Sequence, residues 1–149
     1  MSFGSFNEIL EFAIEREEEA RQFYQDLAAK MERPHMRSVF EDFAREEAGH
    51  KAKLTAIREG KLDKPKLTKI LNLKIGDYLV DIEPAATMDY QQALVLAMKR
   101  EKAAFRLYTD LAGRIDDEKH RSIFLMLAQE EAKHKLRFEL EYDEMITEN

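Results

Sequence analysis

The sequence contains no cysteine. Disulfides, thiol nucleophiles, cysteine-bound zinc and iron–sulfur clusters are thereby excluded, and any metal must be held by histidine and carboxylates. Glycine and proline are scarce, five and three in 149 residues, too few to punctuate many short strands. Hydrophobic residues at 44% and charged residues at 36% instead suit long amphipathic helices around a single core. No apolar run approaches the roughly 18 residues of a membrane span. The opening MSFGSFNEILEF has neither a basic n-region nor an uninterrupted apolar segment. It does not read as a signal peptide, and a cytoplasmic location is the default expectation. The net charge of -6 argues against nucleic acid or an anionic membrane as partner.

What is present repeats. Residues 7–58 align without a gap on residues 91–142, an offset of 84, with eighteen identities in 52 positions. Shared helical composition inflates such a count, so the rarer residues carry the argument: Tyr24 returns as Tyr108, His50 as His134, and EEAGHK as EEAKHK. The reading is a duplicated helical hairpin.

Each half divides into two helices. Ser5 with Glu8 fits a capping box opening the first, and MERPH breaks it, with Pro34 suited to the first turn of the second. The second helix runs through Phe40, Phe43, Glu47, His50, Leu54 and Ile57 to a stop at Gly60. Asp89 with Gln92 caps the third, AGRIDD makes the next turn, and the fourth starts near Glu118. The expectation is one all-α domain over residues 1–149, a four-helix bundle with hairpins at about 5–60 and 88–146. The crossover, about 61–87, is too long for a tight turn and suits an up-down-down-up bundle, which needs a connection running from end to end. Its apolar content (Leu67, Ile70, Leu71, Leu73, Ile75, Tyr78, Leu79, Val80) predicts a short packed helix, followed by an extended stretch from Asp81 to Asp89.

The inward stripe of an amphipathic helix should be apolar. Here each stripe is interrupted. Glu17 lies between Ala13 and Ala20 or Tyr24, and Glu101 between Ala97 and Ala104 or Tyr108. Glu47 and His50 lie in line with Phe43 and Leu54, and Glu131 and His134 with Leu127 and Phe138. Residues i and i+3 point the same way on a helix, so each Glu-x-x-His can converge on one point. Four buried carboxylates are costly when unpaired, and two divalent cations would balance them. The candidate ligands are Glu17, Glu47, His50, Glu101, Glu131 and His134, a carboxylate and imidazole set that suits iron or manganese. One Glu from each of two helices, with Glu-x-x-His from each of the other two, is the di-iron pattern of ferritin-like bundles.

At these residues the chain resembles the rubrerythrin-like domains of the ferritin-like superfamily. The E-x-x-A-x-x-x-Y pattern (Glu17, Ala20, Tyr24; Glu101, Ala104, Tyr108) and the two E-x-x-H motifs carry the resemblance, which covers nearly the whole chain. It implies two iron ions bridged by Glu47 and Glu131, with Glu17 and His50 completing one site and Glu101 and His134 the other. It also implies a homodimer, with exchange of helices as an option. Rubrerythrins that reduce peroxide usually carry a four-cysteine rubredoxin domain, which has no counterpart among these residues. Electrons are therefore expected from another protein or from the reduced metals. A carboxylate that rubrerythrins usually place one turn after the ligand of the third helix is here Ala104, matching Ala20, so the site is expected to be more symmetric.

The function expected is redox chemistry on hydrogen peroxide or O2 as small substrate. The alternatives are an iron-storage protein whose ferroxidase step loads iron, and a helical interaction module without catalysis. Tyr24 and Tyr108 could bond a ligand carboxylate or supply an electron, and the plainer reading is core tyrosines with satisfied hydroxyls. His35 and His120, near the hairpin turns, read as solvent-exposed. Glu18, Glu19, Glu46 and Glu130 read as a solvated face. Lys61, Lys64, Lys66, Lys69 and Lys74 read as solubilising the crossover, with docking of an acidic electron donor as the alternative.

Overall fold

The computed structural model describes residues 5–60, 89–116 and 118–148. The expected crossover, with its short helix, its extended stretch and its five lysines, lies outside them. Four helices make up the described chain: α1 (Phe6–Lys30), α2 (Pro34–Arg58), α3 (Tyr90–Ala112) and α4 (Glu118–Glu148).

Their limits follow local chemistry. The Ser5 hydroxyl accepts from the Glu8 amide at 3.2 Å, satisfying one of the free donors at the start of α1. Proline stands at the first position of α2, where its missing N–H costs nothing. At α3 the capping box is complete, the Asp89 carboxylate accepting from the Gln92 amide at 2.7 Å and the Gln92 side chain from the Asp89 amide at 3.1 Å. Beyond α2, Gly60 takes φ 80°, the left-handed conformation that glycine adopts at least cost.

α1 packs on α2 and α3 on α4. The apolar interior falls into two clusters. One joins Ile9, Leu10 and Ile14 of α1 to Leu54 and Ile57 of α2, Leu107 and Leu111 of α3, and Phe124 and Leu127 of α4. The other joins Tyr24 and Leu27 of α1 to Phe40 and Phe43 of α2, Ala93 and Leu94 of α3, and Phe138 of α4. The first thus gathers the start of α1, the end of α2, the end of α3 and the start of α4. The second gathers the opposite ends, so the helices run up, down, down, up. α2 ends at one end of the bundle and α3 begins at the other, as expected for a long crossover.

The second end is the aromatic one. Phe138 lies 4.3 Å from Phe43 and 5.8 Å from Tyr24, centroid to centroid. Such ring contacts add about 0.5–1.5 kcal/mol each beyond burial.

Candidate metal centre

Between the two apolar clusters lies a polar layer. Glu17, Glu47, Glu101 and Glu131 are 2%, 1%, 1% and 1% exposed, and His50 and His134 5% each. Each occupies the inward stripe of its helix, at a position where the apolar period would call for a hydrophobe. In α4 the stripe runs His120, Phe124, Leu127, Glu131, His134, Phe138, in steps of four and three.

Six side chains from four helices meet here. His50 Nδ1 lies 2.7 Å from Glu131, 3.7 Å from Glu17 and 3.9 Å from Glu47. His134 Nδ1 lies 3.1 Å from Glu47 and 3.5 Å from Glu101. The imidazoles are parallel within 5°, with centroids 5.9 Å apart. Two groups of ligand atoms could each hold a metal ion: Glu17, Glu47, His50 and Glu131, and Glu47, Glu101, Glu131 and His134. Glu47 and Glu131 belong to both.

One buried atom on each of the six makes no hydrogen bond: Glu17 Oε2, Glu47 Oε1, His50 Nδ1, Glu101 Oε2, Glu131 Oε1 and His134 Nδ1. The 2.7 Å approach of His50 to Glu131 is close but not aligned as a hydrogen bond. Buried polar atoms are nearly always satisfied. Six orphans converging from four helices fit metal ligation, which would satisfy them together.

The electrostatics agree. Burial, reinforced by the charges of Glu17 and Glu101, holds the Glu47 carboxyl well above its usual range. Burial does the same for Glu131, reinforced by Glu101, Glu47 and Glu17. For Glu101 burial also acts upward, but the nearby Glu131 and His134 side chains and the Tyr24 hydroxyl outweigh it and lower the group. Burial opposes charge on His50, yet Glu17 and Glu130 outweigh burial and raise it. Without a cation the cluster must retain protons.

The tyrosines fit both readings at once. They are fully buried core residues, and each donates to a candidate ligand across the α1–α3 interface: Tyr24 to Glu101 Oε1, and Tyr108 to Glu17 Oε1 at 2.5 Å. Burial pushes both phenols well above their usual range, with the charges of Glu101 and Glu17 adding to it. They stay protonated and act as donors.

Two expectations are corrected. Glu46 and Glu130 do not simply face solvent. The Glu130 carboxylate contacts His50 Nε2, and that of Glu46 contacts His134 Nε2, each reaching across from the other helix. Their Cβ atoms leave the inward stripe, but the side chains are long enough to cover the outer edge of the facing imidazole. The signal was present in the sequence, since the whole EE doublet recurs. His120 is 5% exposed and not on the surface, because it lies on the inward stripe of α4. His35 is exposed as expected and pairs with Glu141 at 3.1 Å. Glu18 and Glu19 lie outside the centre and pair with surface cations, Glu18 with Arg21 and Lys51 and Glu19 with Arg16.

A four-helix bundle of this topology, with four carboxylates and two histidines at mid-height, defines the ferritin-like class. Within it the sequence model of the Rubrerythrin family matches residues 8–142, and the chain belongs to that family. A hypothetical protein from Pyrococcus furiosus has a similar structure, with TM-score 0.75 and 24% identity over 97% of this chain and 92% of that one. An uncharacterised conserved protein from Magnetospirillum magnetotacticum is also similar, with TM-score 0.69 and 24% identity over 94% of this chain and 95% of that one. At that identity the likeness concerns the fold. No curated protein matches the chain.

Proposed function

We propose that the chain is a di-metal carboxylate protein that binds two iron ions, or manganese in their place, and reduces hydrogen peroxide or O2. Glu17 and His50 would hold one ion, Glu101 and His134 the other, with Glu47 and Glu131 shared. The observation that carries this reading is the convergence of six unpartnered ligand atoms in a layer closed by apolar clusters on both sides. Two ferrous ions supply one electron each, which matches the two electrons that reduce peroxide to water.

The chain's own residues set the conditions. Glu130 and Glu46 accept from the Nε2–H of His50 and His134. That fixes the tautomer and leaves each Nδ1 lone pair facing the centre. Tyr24 and Tyr108 hold one oxygen each of Glu101 and Glu17, which leaves the other oxygen for a metal. The rings packed against the layer, including Phe43 at 4.7 Å from the His134 ring, limit the access of water. Sustained turnover needs electrons from a donor outside these residues, since they contain no cysteine to bind a second iron centre.

The test is anaerobic. Protein loaded with Fe(II) and mixed with hydrogen peroxide should consume approximately one peroxide per two irons oxidised. Binding of two irons without peroxide consumption would remove the peroxide reading.

A further inference from the structure

A groove of about 440 Å³ opens where α2 faces α4. Gly49, Lys53 and Lys133 line it, together with the Glu46–His134 and Glu130–His50 pairs. Gly49 leaves room there: a Cβ built at this position meets nothing within 4 Å. The residue 84 positions on is Lys133, so the repeat puts a long side chain on the α4 wall and none at the matching place on α2.

The directions of approach to the centre differ. The two apolar clusters close it along the bundle axis. On the α1–α3 side, Tyr24 and Tyr108 bridge the helices to Glu101 and Glu17. Arg100 of α3 lies 4.7 Å over the Phe23 ring of α1, and Arg16 lies 4.8 Å over Phe12. A cation approaching there meets guanidinium charges and aromatic rings. On the α2–α4 side it meets the carboxylates of Glu46 and Glu130, 54% and 41% exposed. Each of these also contacts the outer nitrogen of an imidazole whose inner nitrogen faces the centre.

We propose that the groove beside Gly49 is the port through which a divalent cation reaches the centre, received at the surface by Glu46 and Glu130. The proposal rests on the di-metal reading and adds the route. Outward rotation of one of these carboxylates uncovers an imidazole edge, a side-chain motion that is fast on the scale of binding. Lys53 and Lys133 share the groove and oppose a cation, so they limit the rate of loading without touching the ligand atoms.

The probe is Co(II), mixed with the metal-free full chain and followed by its visible absorption. Gly49→Phe, whose ring would occupy the open space, should load on the order of tenfold more slowly than Gly49→Ala, with both reaching two Co(II) per chain. The alanine variant is the reference because replacing glycine in a helix stiffens it in either case. Lys53→Glu combined with Lys133→Glu should load severalfold faster at low salt, and the gain should disappear at high salt. This second arm decides the matter if the phenylalanine variant does not fold. Equal rates in the two Gly49 variants, or loading indifferent to the charge reversal, would overturn the port. A wild-type chain that binds no Co(II) overturns the di-metal reading and the port with it. That result differs from failure of the port alone, in which two Co(II) bind at unaltered rates.

Discussion

Each candidate histidine works with two glutamates of the opposite helix. His50 has Glu131 beside Nδ1 and Glu130 at Nε2, while His134 has Glu47 and Glu46 in the same roles. Consecutive glutamates on one helix therefore grip both edges of one imidazole on the next. The inner member is a candidate ligand and the outer one orients the ring. The roles separate in a metal titration. Glu47→Ala and His134→Ala should each lower bound metal well below two per chain, since Glu47 serves both groups and His134 supplies the nitrogen of one. Glu130→Ala should still reach two at saturation, with affinity weakened about 10–100-fold. Full occupancy in both ligand variants would refute the assignment. A Glu130→Ala titration matching wild type would mean that this contact does not orient His50.

Among the elements, the helix starts and the aromatic end of the bundle contribute differently to stability. The Asp89 cap satisfies a free amide at the start of α3, where the chain emerges from the crossover. Asp89→Ala should cost about 1 kcal/mol. Phe138 is fully buried and touches Tyr24, Phe40 and Phe43. Phe138→Ala should cost about 3–5 kcal/mol, because it leaves a cavity beside the polar layer. Urea unfolding of the metal-free protein at constant m-value measures both. Equal losses in the two variants would mean that the aromatic end is loosely packed.

For the molecule as a whole, the polar layer ties stability to pH. Glu47, Glu131 and His50 are all raised on folding, so the metal-free folded chain keeps protons that the unfolded chain releases. The stability they bring is fully present below their unfolded values, 4.5 for the glutamates and 6.5 for the histidine. It is lost as pH rises through the folded values. Glu101, lowered on folding, has the opposite sign: its contribution is present above 4.5 and lost as pH falls through its folded value. The metal-free Tm should therefore fall between roughly pH 5 and pH 8. The Tm gained on adding Mn(II) should grow over the same interval, because bound cations displace those protons. Thermal melts with and without Mn(II) check both trends. A metal-free Tm that stays flat or rises would show that the cluster does not hold its protons.

Much of this was legible in one dimension. Helix starts are local chemistry, so Ser5, Pro34 and Asp89 announced them. The inward stripes are periodic, so Glu17, Glu47, His50, Glu101, Glu131 and His134 stood out as polar residues at apolar positions. His120 lay on the same stripe, and proximity to a turn was the wrong guide to its burial. The sequence alone therefore determined the fold class and that these six candidate ligands face inward, because both depend on period and short-range hydrogen bonding. Only the tertiary structure decided which side chain meets which: that Tyr24 bonds Glu101 and not the Glu17 of its own helix, and that Glu46 and Glu130 reach the imidazoles of the facing helix. Those pairings depend on how helices distant in sequence cross, and on side chains long enough to leave the face on which their Cβ atoms sit.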